Sequence, residues 1–156
     1  MELKATVMQT AAAILVEGPG KSKSIEQWID ELVKSGDAID RRMAGTKNPS
    51  YAQALLRHIT GIERWGQGRL RVFLGAPLVR DEYDGYQPGK DLDLDGQRAA
   101  FRETRQETIE LARQAQQASI PDSMTVPHND LGPLSVRGWL RYLNSHASLE
   151  SMKLRT

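Results

Sequence analysis

The chain has 156 residues, 39% of them apolar and 26% charged, with a net charge of +1. That length suits one domain around one core, spanning 1–156, with roughly 68–70% of the unfolded surface buried on folding. The near balance of 21 basic and 20 acidic residues gives no broad field to gather nucleic acid or an anionic membrane, so neither is an expected partner. Cysteine is absent, which excludes disulfides, thiolate metal sites and cysteine nucleophiles. Any bound metal must take nitrogen and oxygen ligands.

Residues 1–20 read as an N-terminal arm or short helix. Its apolar run "AAAILV", residues 11–16, is too short to span a bilayer. With Glu2 near the start and "EGPGKSKS" where a small-residue cleavage site would be, it does not read as a signal peptide. A cytoplasmic location is the expectation. "GPGKS" at 18–22 resembles the end of a phosphate loop, but that motif needs a glycine at 15, where Leu15 stands. A turn before the first helix is the better reading.

Four segments carry helical periodicity. In the first, roughly 24–44, Ile25, Trp28, Ile29, Leu32, Val33, Gly36, Ile39 and Met43 form one stripe, Ser24 can cap the start and Gly45 can end it. In the second, roughly 50–74, Asn48 or Ser50 can act as the cap. At ~100° per residue, Tyr51, Ala54, Leu55, His58, Ile62, Trp65 and Val72 share a face. Gly61, Gly66 and Gly68 weaken this helix intrinsically and suit close approach of a neighbour.

Residues 75–93 lack periodicity and form a connection longer than most interhelical loops. Within them "DLDLDG" opens like an EF-hand loop, yet position 12 is Arg102, which cannot replace the bidentate carboxylate. Aspartates capping the third helix explain the same residues. That helix runs roughly 94–118, with Leu94, Phe101, Thr108, Leu111, Ala112 and Ala115 inward and Arg98 and Arg105 at its edges. After a second loop, 119–134, Ser135 caps a last helix, roughly 136–153. Four long helices with no convincing strand predict an all-α four-helix bundle, and the long connections argue against simple up-down-up-down topology.

The chain has three histidines: His58, His128 and His146. His58 lies within the apolar stripe of the second helix. His146 shares a face of the last helix with Trp139, Tyr142 and Leu143, and Glu150 follows one turn on. A buried carboxylate needs a partner. A divalent metal bound by two neutral imidazoles and one carboxylate satisfies all three groups. Alternatively each histidine is an ordinary core residue, and Glu150 pairs with Lys153, Arg141 or an arginine of another helix.

Three stretches resemble the DinB-like proteins, the superfamily that includes the YfiT-type thiol transferases. "ALLRHITGIERWGQGRLRVFLGAP" resembles that family's second helix, with His58 followed five residues on by Glu63. "FRETRQETIELA" resembles its third helix. "HNDLGPLSVRGWLRYLNSHASLE" resembles the entry into its last helix: a Gly-Pro, a tryptophan in the first turns, then a histidine. The likeness runs from about Ser24 to the C-terminus. It implies a four-helix bundle, often dimeric, whose metal is held by one histidine of the second helix and two of the last, spaced H-x-x-x-H. His58 and His146 match those positions, and Glu150 stands at the third. His128, in the preceding loop, is a substitute ligand.

The implied cofactor is a divalent metal: nickel, zinc, iron or manganese. The implied activity is transfer of a low-molecular-weight thiol cosubstrate to a small electrophilic substrate, or a related hydrolase or isomerase reaction. A bound metal lowers the pKa of a thiol, and the absence of cysteine is compatible because the thiol comes from the cosubstrate. Arg105 and Tyr142 are candidate catalytic residues that orient substrate. One competing expectation is a non-catalytic stress or interaction protein with a vestigial site, which a glutamate in a histidine position favours. Another is a metal-free binding pocket lined by Trp28, Trp65, Trp139 and the tyrosines.

Overall fold

The computed structural model describes residues 16–155. The earlier part of the expected arm, 1–15, lies outside the described residues. Its visible end is a short helical turn, Gly18–Gly20, so "GPGKS" forms a turn and not a phosphate loop. This segment docks on the start of the last helix. The Glu17 carboxylate accepts from the backbone N–H and the hydroxyl of Ser135, both at 2.7 Å.

Four long helices follow: α1 (Ile25–Ala44), α2 (Pro49–Phe73), α3 (Leu94–Gln117) and α4 (Val136–Ser151). Their starts use the caps that the sequence offers. Ser24 and Gln27 form a reciprocal capping box on α1. Asn48 caps α2, Asp93 caps α3 by accepting from Gly96 N–H at 2.8 Å, and Ser135 caps α4. Asp93 thus serves as a cap, as expected for "DLDLDG".

The expectation of no strand is corrected. Val126–His128 (β1) and Gly132–Leu134 (β2) pair antiparallel in the second loop. Each strand is three residues long, too short for an alternating pattern, and Pro127 lies opposite Pro133, where neither can donate a ladder hydrogen bond. Tertiary anchors hold this hairpin. Trp139 Nε1–H donates to Val126 O at 2.9 Å, and Arg69 donates to Pro127 O and, at 2.8 Å, to Asn129 Oδ1. The Arg69 guanidinium also lies over the Trp65 ring, 4.8 Å from its centroid.

Helices α1 and α2 each pack against both α3 and α4, while the consecutive pair α1–α2 barely touches. Around the bundle the order is therefore α1, α3, α2, α4. This differs from up-down-up-down connectivity, in which sequence neighbours are spatial neighbours. The long 118–135 connection makes the diagonal return from α3 to α4, the short link 45–48 makes the one from α1 to α2, and the long 74–93 connection joins the neighbours α2 and α3.

Helix α2 is buried around most of its circumference, which the single-stripe reading understates. Leu56, Ile59, Glu63, Gly66 and Leu70 are buried, whereas Tyr51 and Ala54, placed inward by periodicity, are exposed. Two of its glycines admit neighbours. A Cβ at Gly66 would lie 2.6 Å from Leu143 Cδ2 of α4, and one at Gly61 would lie 2.7 Å from Gln87 Cγ of the 75–93 connection. Gly68 faces no such neighbour.

The apolar core falls into two clusters. One contains Trp28, Leu32, Trp65, Trp139 and Leu143; the other contains Met43, Leu56, Ile59, Phe101 and Ala147. Along α2 and α3 runs a layer of buried polar groups, Glu63, Gln67, Thr104, Arg105 and Thr108, joined by the partly buried Ser35 of α1. Among the described residues, no helix is long and apolar enough to cross a membrane.

Candidate metal centre

His58 lies on α2 and His146 and Glu150 lie on α4, two helices in direct contact. Close approach at Gly66 draws these helices together. Each of the three residues offers one ligand atom, and these atoms all lie within 4.8 Å of one another. The histidine ring centroids are 5.2 Å apart. Donors around a tetrahedral zinc ion sit about 3.4 Å apart, so small rotamer adjustments bring this set onto one ion. All three side chains are partly buried, which leaves a solvent-facing side for a further ligand.

Electrostatics prepare the donors. Burial, and then the charge of neighbouring His58, push the pKa of His146 down to about 4, so its imidazole is neutral at physiological pH. Burial raises the Glu150 carboxyl. The Lys153 hydrogen bond and the nearby histidine and lysine charges outweigh it and leave the group below its ordinary value. Glu150 already has a cation, since Lys153 Nζ lies 2.8 Å from Oε2. Lys153 is exposed, so it can leave without disturbing the core.

An aromatic wall runs from this cluster into the core. The Tyr83 ring stands edge-on to His58, with centroids 5.8 Å apart. Tyr83 belongs to a 3-10 turn, Tyr83–Tyr86, held against α2 by Arg57 and Arg64, which donate to Pro88 O at 3.0 Å and Tyr86 O at 3.4 Å. On the other side, the Tyr142 ring is 5.9 Å from His146 and 4.5 Å from His128. Burial first, then the negative charges of Asp130 and Glu150, raise the Tyr142 pKa and keep its phenol protonated.

The remaining predicted residues fall elsewhere. His128 ends β1 and does not join the three-ligand cluster. Its Nδ1 accepts from the N–H groups of Asp130 and Leu131 at 3.0 and 3.2 Å, and burial pushes its pKa down to about 4. Arg105 is not at a helix edge; it is 4% exposed, in the polar layer. Its Nε donates to Glu63 Oε2 at 3.0 Å, Nη2 to Glu63 Oε1 at 2.8 Å, and Nη1 to Leu32 O at 2.8 Å and Ser35 Oγ at 2.9 Å. Thr108 donates to Glu63 Oε2 at 3.0 Å. The missing Cβ of Gly36 leaves room for the Arg105 stem, which would otherwise meet it at 3.2 Å.

Spacing does not pair Glu63 with Arg105. Glu63 follows Ile62 and Arg105 lies one turn after Phe101, but only the contact of α2 with α3 brings the two together.

Helices α1 to α3, the two long connections and α4 as far as Leu149, with His58 and His146, lie within residues 24–149, the stretch matched by the DinB superfamily family model, and Glu150 is one residue beyond it. No curated protein and no solved structure matches the chain. The match covers three helices whole, all but the last two residues of the fourth, and most of the chain, and on that ground the chain belongs to the DinB superfamily.

Proposed function

We propose that this protein is a metal-dependent enzyme in which His58, His146 and Glu150 hold one divalent ion. The observation that carries the reading is the convergence of two imidazoles and a carboxylate from α2 and α4, all within 4.8 Å. The nitrogen and oxygen donors suit zinc, iron, manganese or nickel. Such an ion, when bound, lowers the pKa of a thiol or water and supplies a nucleophile at neutral pH. The reaction we favour is transfer of a low-molecular-weight thiol to a small electrophile, with hydrolysis of a thiol adduct as the related option.

The chain's own residues have defined parts in this reading. His146 stays neutral and offers a lone pair. Glu150 supplies the negative charge, and Lys153 covers that charge until the ion arrives. Tyr142, a phenol held in its protonated form beside His146, orients substrate through its hydroxyl. Arg105 acts at a distance, by keeping α1, α2 and α3 in register. A homodimer is part of the proposal: Leu149 and Met152 on the last turns are 66% and 64% exposed, an apolar surface next to the cluster.

A second reading is favoured by one observation. The Glu150–Lys153 pair already neutralises the carboxylate, as in a bundle protein whose site has lost its ion. Protein reconstituted with each metal in turn and assayed for thiol transfer to electrophiles separates the two. The enzyme reading expects metal-dependent turnover that His146→Ala removes. Stoichiometric metal without turnover on any thiol or thiol adduct supports the second reading.

A further inference from the structure

The His128 side chain is 7% exposed, and its Nε2 has no hydrogen-bond partner. A buried polar group left unsatisfied costs roughly 1–3 kcal/mol, so its presence asks for a reason. The tautomer follows from its partners. Backbone N–H groups only donate, and two of them, from Asp130 and Leu131, point at Nδ1. Nδ1 therefore carries the lone pair and Nε2 carries the proton. The Nδ1 edge faces the hairpin turn. The His128 ring is packed among Trp65, Trp139 and Tyr142 at centroid distances of 5.1, 5.4 and 4.5 Å.

Tyr142 stands between this ring and the ligand cluster. Its ring lies 4.5 Å from His128 and 5.9 Å from His146. A phenol is a hydrogen-bond donor at neutral pH. Two neutral donors from separate elements, β1 and α4, thus belong to the aromatic wall that adjoins His146.

We propose that His128 Nε2–H and Tyr142 Oη–H form a donor subsite for an acceptor oxygen, carbonyl or carboxylate, of the ligand held at the metal. This rests on the metal reading above. It assigns His128 a role in binding, not in ligating the ion, and it gives the orphaned N–H a partner that arrives with the ligand. The substrate class it selects is one that carries an acceptor oxygen a few bonds from its metal-binding atom.

Isosteric variants separate this role from the role of His128 in the turn. His128→Asn keeps a side-chain oxygen that can accept from residues 130 and 131 but places nothing at the Nε2 position. His128→Gln extends an amide N–H toward that position and loses the turn acceptor. The probe is acetohydroxamate, an oxygen-donor chelator, titrated into the cobalt(II)-loaded protein and followed by the visible spectrum of the cobalt. We expect His128→Asn and Tyr142→Phe to load cobalt as the wild type does and to bind acetohydroxamate roughly tenfold more weakly, the effect of about one lost hydrogen bond. His128→Gln should melt lower yet keep an affinity within about threefold of wild type. Unchanged affinity in both His128→Asn and Tyr142→Phe overturns the subsite. Should His128→Asn fail to fold, a folded His128→Gln that binds tenfold more weakly also overturns it. Failure of the wild type to take up cobalt and each of nickel, zinc, iron and manganese, seen before any probe is added, overturns the metal reading and this inference with it.

Discussion

At the scale of single residues, burial decides what the histidines can do. His128 and His146 both titrate near pH 4 in the folded chain, against about 6.5 when unfolded. Between those values the unfolded chain binds protons that the folded chain does not, so stability rises with pH across that window and falls as pH drops from about 6.5 toward 4. The effect is about 3 kcal/mol for deeply buried His128 and smaller for half-buried His146. Thermal melts of metal-free protein from pH 7 to pH 4 should show this loss, and His128→Asn should make it shallower. A melting temperature flat across the window contradicts the assignment.

Lys153 permits a second test at the same scale. It competes for Glu150, so Lys153→Met should tighten metal binding severalfold, measured by competition with a chelating dye. Weaker binding in that variant would mean that the lysine supports the site.

Among the elements, the buried pair Glu63–Arg105 ties α2 to α3 and, through Leu32 O and Ser35, to α1. Removing one partner strands a charge in the buried polar layer. Arg105→Ala should therefore lower unfolding stability by about 3–5 kcal/mol, read from urea melts. A double change, Glu63→Leu with Arg105→Met, should restore most of that loss, because the desolvation cost disappears with the charges. A double variant no more stable than the single one contradicts this account.

The helices were legible in the sequence because each announces itself locally. Ser24, Asn48, Asp93 and Ser135 sit where caps are needed, and the periodic stripes extend over many turns. The hairpin was not legible, since its six paired residues include two prolines and depend on Trp139 of the next helix and on Arg69, far away along the chain. For the same reason Arg105 read as an edge residue. Periodicity reports which residues share a face of one helix, but not which charged residue on another helix will meet it.

In the whole molecule, the order α1, α3, α2, α4 brings the middle of α2 against the end of α4, so that His58 meets His146 and Glu150. The sequence pointed to all three candidate ligands because two signals coincided: the i, i+4 spacing of His146 and Glu150, and a histidine on an inward stretch of α2. The placement of His128 outside the cluster depends on the hairpin, and was beyond reach of spacing alone.

The central claim is that these three residues hold one ion. Its most direct test is metal content, measured by mass spectrometry on protein purified without an affinity tag and reconstituted in turn with nickel, zinc, iron and manganese. One ion per chain is expected with at least one of these metals, with loss of that ion in His146→Ala and a higher melting temperature for the loaded wild type only. No stoichiometric metal in the wild type with any of the four would contradict the claim.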